Sequence, residues 1–236
     1  MNNMQNLKNK YLIMISIALT LMLLSCEKEK IDPLPLGPNE WWDSLSPEWK
    51  NCILNSSMTL DSTRYFDPKL IQEKVYYVNC NGHNFQNLDP LKYMYNLTGL
   101  SCTDSSLTNI QALLYLKNLE DINFSGSKIS DFTSLKNSKN IKKLYFNETN
   151  IKDISILSKL SGIEVLQFER TKVENINSLK DLKNLKELIF GFTSVSTIKP
   201  IMELDSIQYL NCCWTSVPET EINEFKQKHP NCLVQY

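Results

Sequence analysis

Residues 140–161 read NIKKLYFNETNIKDISILSKLS, with apolar side chains at Ile141, Leu144, Phe146, Ile151, Ile154, Leu157 and Leu160. Two periods are spliced together. Leu144 and Phe146 alternate with Lys143 and Tyr145, which is the two-residue period of a strand. Ile151, Ile154, Leu157 and Leu160 then step by three, which suits 3₁₀ or helical turns. The stretch predicts one short strand followed by one stepped turn.

The same spacing recurs every 22 residues. Units begin at Val75, Leu97, Leu119, Ile141, Ile163, Leu185 and Ile207, so seven units cover 75–228. The fourth position carries Val78, Leu100, Ile122, Leu144, Leu166, Leu188 and Leu210. The sixth carries Cys80, Cys102, Phe124, Phe146, Phe168, Phe190 and Cys212. The eleventh runs from Phe85 through Leu107, Ile129, Ile151, Val173 and Val195 to Val217. No single unit buries such a set alone, so neighbouring units must stack.

The pattern L-x-x-L-x-F-x-x-T-x-I-x-x-I-x-x-L-x-x-L resembles the leucine-rich repeat, and within it the 22-residue bacterial type of internalin-like proteins. The resemblance implies an α/β solenoid. This is a right-handed superhelix of seven 22-residue repeats, with a parallel concave sheet and a helical N-terminal cap. The family usually has asparagine at the ninth position, where it forms a ladder for backbone groups. Here the ninth position holds His83, Ser105, Ser127, Thr149, Thr171, Thr193 and Thr215. A hydroxyl donates and accepts, so the expectation is a buried hydroxyl ladder in the same role.

Solenoid ends need caps. Ser46-Pro47 and Asp67-Pro68 each begin a predicted helix, with a capping side chain before a first-turn proline. Residues 41–74 are read as the N-terminal cap, with Trp41, Trp42 and Trp49 covering the first repeat. The seventh repeat lapses at Thr220, Asn223 and Lys226. Ile222 and Phe225 are expected to pack from a shifted helix, and 229–236 to close the stack with a strand.

The front of the chain reads differently. A polar start with Lys8 and Lys10 precedes the largely apolar run YLIMISIALTLMLL, then Leu23-Leu24-Ser25-Cys26. This order describes a secretory signal, and the apolar run is short for a membrane-spanning helix, which needs about 20 residues. The ending resembles a bacterial lipobox. The resemblance implies removal of 1–25 as a lipoprotein signal peptide and acylation of Cys26. The acids after Cys26 loosely resemble a surface-export signal of Bacteroidota lipoproteins, although lysines interrupt them. Residues 26–40, rich in proline and polar groups, read as an extended tether. The expected location is the outer membrane, facing the periplasm or the cell surface.

Composition narrows the chemistry. A formal net charge of −1 over 236 residues offers nothing to nucleic acid. Cys52, Cys80, Cys102, Cys212, Cys213 and Cys232 remain once Cys26 is set aside. Strands about 4.8 Å apart place Cys80 and Cys212 about 29 Å from each other, beyond any disulfide. Pairs are therefore confined to each end: Cys52–Cys80 or Cys80–Cys102 in front, and Cys232 with Cys212 or Cys213 behind. Cys102 reads as a small core residue, and no metal site is expected. Neither His83, in the ladder, nor His229, in the end cap, has a catalytic neighbour. Glu169 and Glu187 on adjacent strands form a carboxylate pair without a pocket. The chain is read as non-enzymatic, with no cofactor.

What remains is the outward face of the sheet. Its early repeats offer small polar groups. The later ones offer Lys143, Tyr145, Asn147, Val165, Gln167, Glu169, Arg170, Glu187, Ile189, Phe192, Tyr209, Asn211 and Trp214. Exposed aromatics mixed with charge mark binding hot spots. The expected function is a lipid-anchored cell-envelope binding protein whose concave face takes a protein or peptide ligand, or a glycan. It would be a monomer that meets the membrane only through Cys26. A structural subunit or spacer in an envelope assembly is the alternative, as is packing of the same rings on the C-terminal cap.

Overall fold

The computed structural model describes residues 36–56, 67–103 and 106–236. The signal segment, Cys26, most of the tether and Ser105 lie outside these described residues. Residues 37–236 form one unit. Its strands come at the predicted interval: β1 (Tyr77–Asn79), β2 (Gly99–Ser101), β3 (Asp121–Asn123), β4 (Lys143–Tyr145), β5 (Val165–Gln167), β6 (Glu187–Ile189) and β7 (Tyr209–Asn211), followed by β8 (Leu233–Gln235). They pair in chain order as one parallel sheet. The register is fixed by the repeat, so Leu144 sits between Ile122 and Leu166, and Tyr145 between Asn123 and Gln167.

Each of the first six strands is followed by a 3₁₀ turn, such as Ser155–Lys159 after β4. The turns have a recurrent start. Asn87, Asn109, Asp131, Asp153 and Asn175, all at the thirteenth position, accept the N–H two residues on at 2.8–3.0 Å. Such side chains compete for backbone donors and so initiate turns. The seventh unit has Glu219 there, and the chain instead forms a full helix, α4 (Glu219–Lys228), which buries Ile222 and Phe225.

The core follows the repeat. Leu144, Phe146, Ile151, Leu157 and Leu160 are fully buried, and Ile154 nearly so. Phe146, Phe168 and Phe190 form a stacked column, with ring centroids 5.5 and 5.6 Å apart. At the front the column becomes thiols. Cys52 and Cys80 sulfurs lie 2.8 Å apart in the core, beside the likewise buried Cys102. None of the six described cysteines is in a disulfide. Hydrogen bonds with Cys102 and Cys52, together with burial, push the Cys80 thiol well above its ordinary range.

Among the described residues, three helices precede β1: α1 (Pro38–Ser44), α2 (Pro47–Ser56) and α3 (Pro68–Lys74). Ser46 Oγ accepts the Trp49 N–H at 3.4 Å, and Asp67 Oδ1 accepts the Lys69 N–H at 2.9 Å, as their positions predict. The helix α1 begins inside the stretch read as tether. Its Pro38 supplies a first-turn φ, and its Trp41 is fully buried, with the indole N–H donating to Pro90 O at 2.8 Å. Trp41 thus covers the first repeat as expected, from a helix that starts earlier than the cap was read to begin.

One reading of the ninth position is corrected. His83 is half-buried, not in a buried slot. Its ring stacks on Phe85, which stacks on Trp49 at 3.8 Å, so it belongs to the junction with the cap. The hydroxyls serve backbone groups as expected, each within its own repeat. Thr149, Thr171, Thr193 and Thr215 each donate to the carbonyl three residues back, at 2.7–2.8 Å. The cross-repeat ladder is made at the twenty-second position. There Asn118, Asn140 and Asn184 donate amide N–H to a carbonyl of the preceding repeat, and Asn96 to Glu73 O of the cap, at 2.9–3.1 Å. At the ninth position the threonine hydroxyl closes a local turn instead.

Candidate functional site

Alternation on three-residue strands sends the fourth position inward and the third and fifth outward. Asp121, Lys143, Val165, Glu187 and Tyr209 therefore form one row across the sheet, and Asn123, Tyr145, Gln167, Ile189 and Asn211 the next. Lys143 is exposed, and the other outward residues of β4 to β7 are half-buried by their neighbours in the row. Tyr145, Ile189 and Tyr209 keep access to solvent, and Trp214 is 77% exposed. A role confined to packing on the cap fits Tyr209 alone, whose hydroxyl meets Gln235 Oε1 at 2.7 Å.

The rows are tied by side-chain amides. Asn147 Nδ2 approaches Gln167 Oε1 at 3.5 Å, and Gln167 Nε2 donates to Glu187 Oε1 at 2.6 Å. Asn147 Oδ1 accepts the Glu169 N–H at 2.7 Å. Asn211 Nδ2 donates to Gln235 Oε1 at 3.1 Å, so the last strand extends the face by one row. Burial pushes the Asp121 carboxyl up, and the ammonium of Lys143 opposite partly offsets this. Burial, with the carboxylates of Asp121 and Glu187, also raises the Tyr145 phenol.

The eighth position forms the rim, and its backbone is left-handed. Gly82 and Gly126 have φ of 72° and 73°, while Glu148, Arg170, Phe192 and Trp214 have φ of 54–58°. This conformation aims each N–H at the next repeat: Glu148 donates to Glu169 O, Arg170 to Gly191 O and Phe192 to Cys213 O, at 2.8–3.1 Å. The side chains line up as a column. Arg170 Nε lies 3.7 Å from Glu148 Oε1, the Arg170 guanidinium sits 4.2 Å above the Phe192 ring, and Phe192 stacks on Trp214 with centroids 5.8 Å apart.

Every residue expected on the sheet face or its rim lies there. Glu169 and Glu187 are on adjacent strands, but Glu187 is bound to Gln167 rather than to its fellow carboxylate. Sequence reasoning missed the left-handed rim, the place of Glu148 in the column and the contribution of Gln235. The glycines at 82 and 126 were the available signal for the first, since they recur at one repeat position.

The BspA-type leucine-rich repeat region family matches residues 70–212 in six copies. The chain belongs to that family. No curated protein matches it by sequence. Among solved structures it is similar to internalin C2 of Listeria monocytogenes, at 17% identity and a TM-score of 0.63, covering 80% of this chain and 92% of that one. It is also similar to an internalin (inlF) of the same organism, at 19% identity and a TM-score of 0.64, covering 87% of this chain and 66% of that one. At these identities the likeness concerns the fold: a bacterial leucine-rich repeat solenoid, an architecture whose extended sheet face serves protein binding.

Proposed function

We propose that this is a lipid-anchored cell-envelope protein that binds a protein or peptide ligand on the outward face of repeats 4 to 7. The observation that carries the reading is the asymmetry of that face. Apart from the exposed Tyr77 of repeat 1, repeats 1 to 3 present small polar groups such as Asn79 and Asn123, whereas repeats 4 to 7 present Tyr145, Ile189, Tyr209 and, at the rim, Phe192 and Trp214. Aromatic rings bury much area for few lost rotors, so this is where binding energy concentrates. Anchorage at Cys26 and an outer-membrane location rest on the lipobox-like Leu23-Leu24-Ser25-Cys26.

The test uses the mature chain from Cys26 as bait against envelope and host-surface proteins and a glycan array. A variant with alanine at Tyr145, Ile189, Tyr209 and Trp214 serves as control. Loss of a captured protein by the variant supports the reading. Equal capture by both removes the face and favours an envelope spacer that works through its ends, where Leu233 and Tyr236 are exposed.

A further inference from the structure

The rim column keeps four large side chains in a conformation that glycine adopts without steric cost. Repeats 1 and 3 use glycine at this position, and repeats 4 to 7 do not. The hydrogen bond to the next repeat needs only the backbone, as Gly126 shows by donating to Asn147 O at 2.8 Å. The side chains of Glu148, Arg170, Phe192 and Trp214 are therefore not demanded by the fold. Strain retained in this way points to use. The column ends at Trp214, the most exposed large apolar residue described.

A close approach of oxygens lies beside the stack. At the seventh position Asn81 and Asn147 knit neighbouring repeats, each accepting an N–H of the next one. In repeat 6 the position is Gly191. A side chain there would meet Cys213 O and Glu169 Oε1, each at 3.0 Å, and Asn211 Oδ1 at 3.5 Å. Three oxygens, one from repeat 5 and two from repeat 7, converge on Gly191 at the foot of the Phe192–Trp214 stack; of these, Asn211 Oδ1 already accepts the Cys213 N–H and Cys213 O the Phe192 N–H. Among the described residues, the half-buried Glu169 carboxylate has neither a hydrogen-bond donor nor an ion-pair partner.

Charge decides what fits. Arg170 is engaged by Glu148 and by the Phe192 ring. Glu187 is in no ion pair among the described residues either, so the face of repeats 5 to 7 is left with uncompensated negative charge. A carboxylate flanked by carbonyl acceptors and π-faces complements an ammonium or guanidinium group. A neutral sugar leaves Glu169 uncompensated, and an anionic one is repelled.

Resting on the binding reading above, we propose that repeats 5 to 7 receive an extended peptide segment bearing lysine or arginine. Its cation is held by Glu169 and Asn211 beside Gly191, and its stem lies against Trp214.

The experiment titrates the full mature protein with acetyl-Gly-Ser-Xaa-Ser-Gly-amide peptides up to millimolar concentration, where Xaa is Arg, Lys or the isosteric neutral citrulline. Heteronuclear NMR shifts of the Gly191 amide and the Trp214 indole report binding. A neutral N-acetylglucosamine pentamer is the comparison. The Arg and Lys peptides are expected to bind at least about tenfold more tightly than the citrulline peptide, with added salt weakening them. Glu169→Gln and Trp214→Gly are each expected to lose that preference with unchanged thermal midpoints. Glycine suits the left-handed rim and glutamine is isosteric, so neither variant threatens the fold. Equal binding of the Arg and citrulline peptides, tighter binding of the pentamer, an unaltered Glu169→Gln variant or no binding of any cationic peptide overturns the proposal. The broader reading fails separately, when the four-alanine variant captures partners as well as the wild type. If that variant loses a partner that Glu169→Gln retains, the face binds and only the cation assignment is wrong.

Discussion

Replacing Phe168 by alanine tests the claim that stacked repeats share one rigid core. The ring is fully buried and lies between Phe146 and Phe190, at centroid separations of 5.5 and 5.6 Å. Truncating a buried phenylalanine costs about 3–5 kcal/mol, and the value depends on how far the surroundings collapse into the void. Collapse is poor here. The two flanking rings belong to adjacent strands whose spacing is set by the parallel ladder, with Phe146 N–H bound to Gln167 O at 2.9 Å and Phe168 N–H to Ile189 O at 2.8 Å. Neither ring can approach the other without breaking that ladder. The expected loss is therefore in the upper half of the range, about 4 kcal/mol. The assay is equilibrium urea unfolding followed by far-ultraviolet circular dichroism on wild type, Phe168→Ala and Phe192→Ala. The last variant removes the same ring from the exposed rim and is expected to move stability by less than about 1 kcal/mol. A loss below about 1.5 kcal/mol for Phe168→Ala would mean that the column refills. The rigid register inferred from the repeat would then be wrong.

Two further outcomes concern polar groups. Thr171→Val removes the donor to Phe168 O in a buried slot, and a loss of about 1 kcal/mol is expected in the same urea assay. Asp121→Asn removes a carboxyl whose folded-state pKa is raised by burial. A raised carboxyl pKa means that the folded chain holds its proton to higher pH, so stability falls as pH rises through that window. The variant is expected to melt above the wild type near neutral pH. The gap closes at about pH 3, below the ordinary aspartate range, and a gap independent of pH contradicts the burial argument.

The face was legible because strand alternation is a local rule. Once Leu144 and Phe146 are known to point inward, Lys143, Tyr145 and Asn147 must point outward, and 22-residue spacing aligns them with the next repeat. The caps were partly legible for the same reason, since Ser46 and Asp67 act on N–H groups two or three residues away. The start of helix α1 was not, because Pro38-Asn39-Glu40 continue a proline-rich polar stretch, although Trp41 covers the first repeat as expected through Pro90, 49 residues on. The ninth-position hydroxyls bond backbone carbonyls as expected, but the bonds across repeats made by the asparagines of the twenty-second position were not foreseen. The ninth position repeats as cleanly as the twenty-second, and nothing local distinguishes a bond made within a repeat from one made across two.

Periodicity by itself determined that this chain is a stack of strand-and-turn units with a shared core and one continuous sheet face. Hydrophobic spacing is a property of neighbouring residues, and any fold that buries the spacing must obey it. Tertiary structure alone decided which polar groups meet. The left-handed rim, the convergence of Glu169, Asn211 and the Cys213 carbonyl around Gly191, and the Arg170–Phe192–Trp214 stack each join residues about 22 positions apart. Their distances depend on how tightly the ladder winds and on the φ adopted at each turn, which no single repeat encodes.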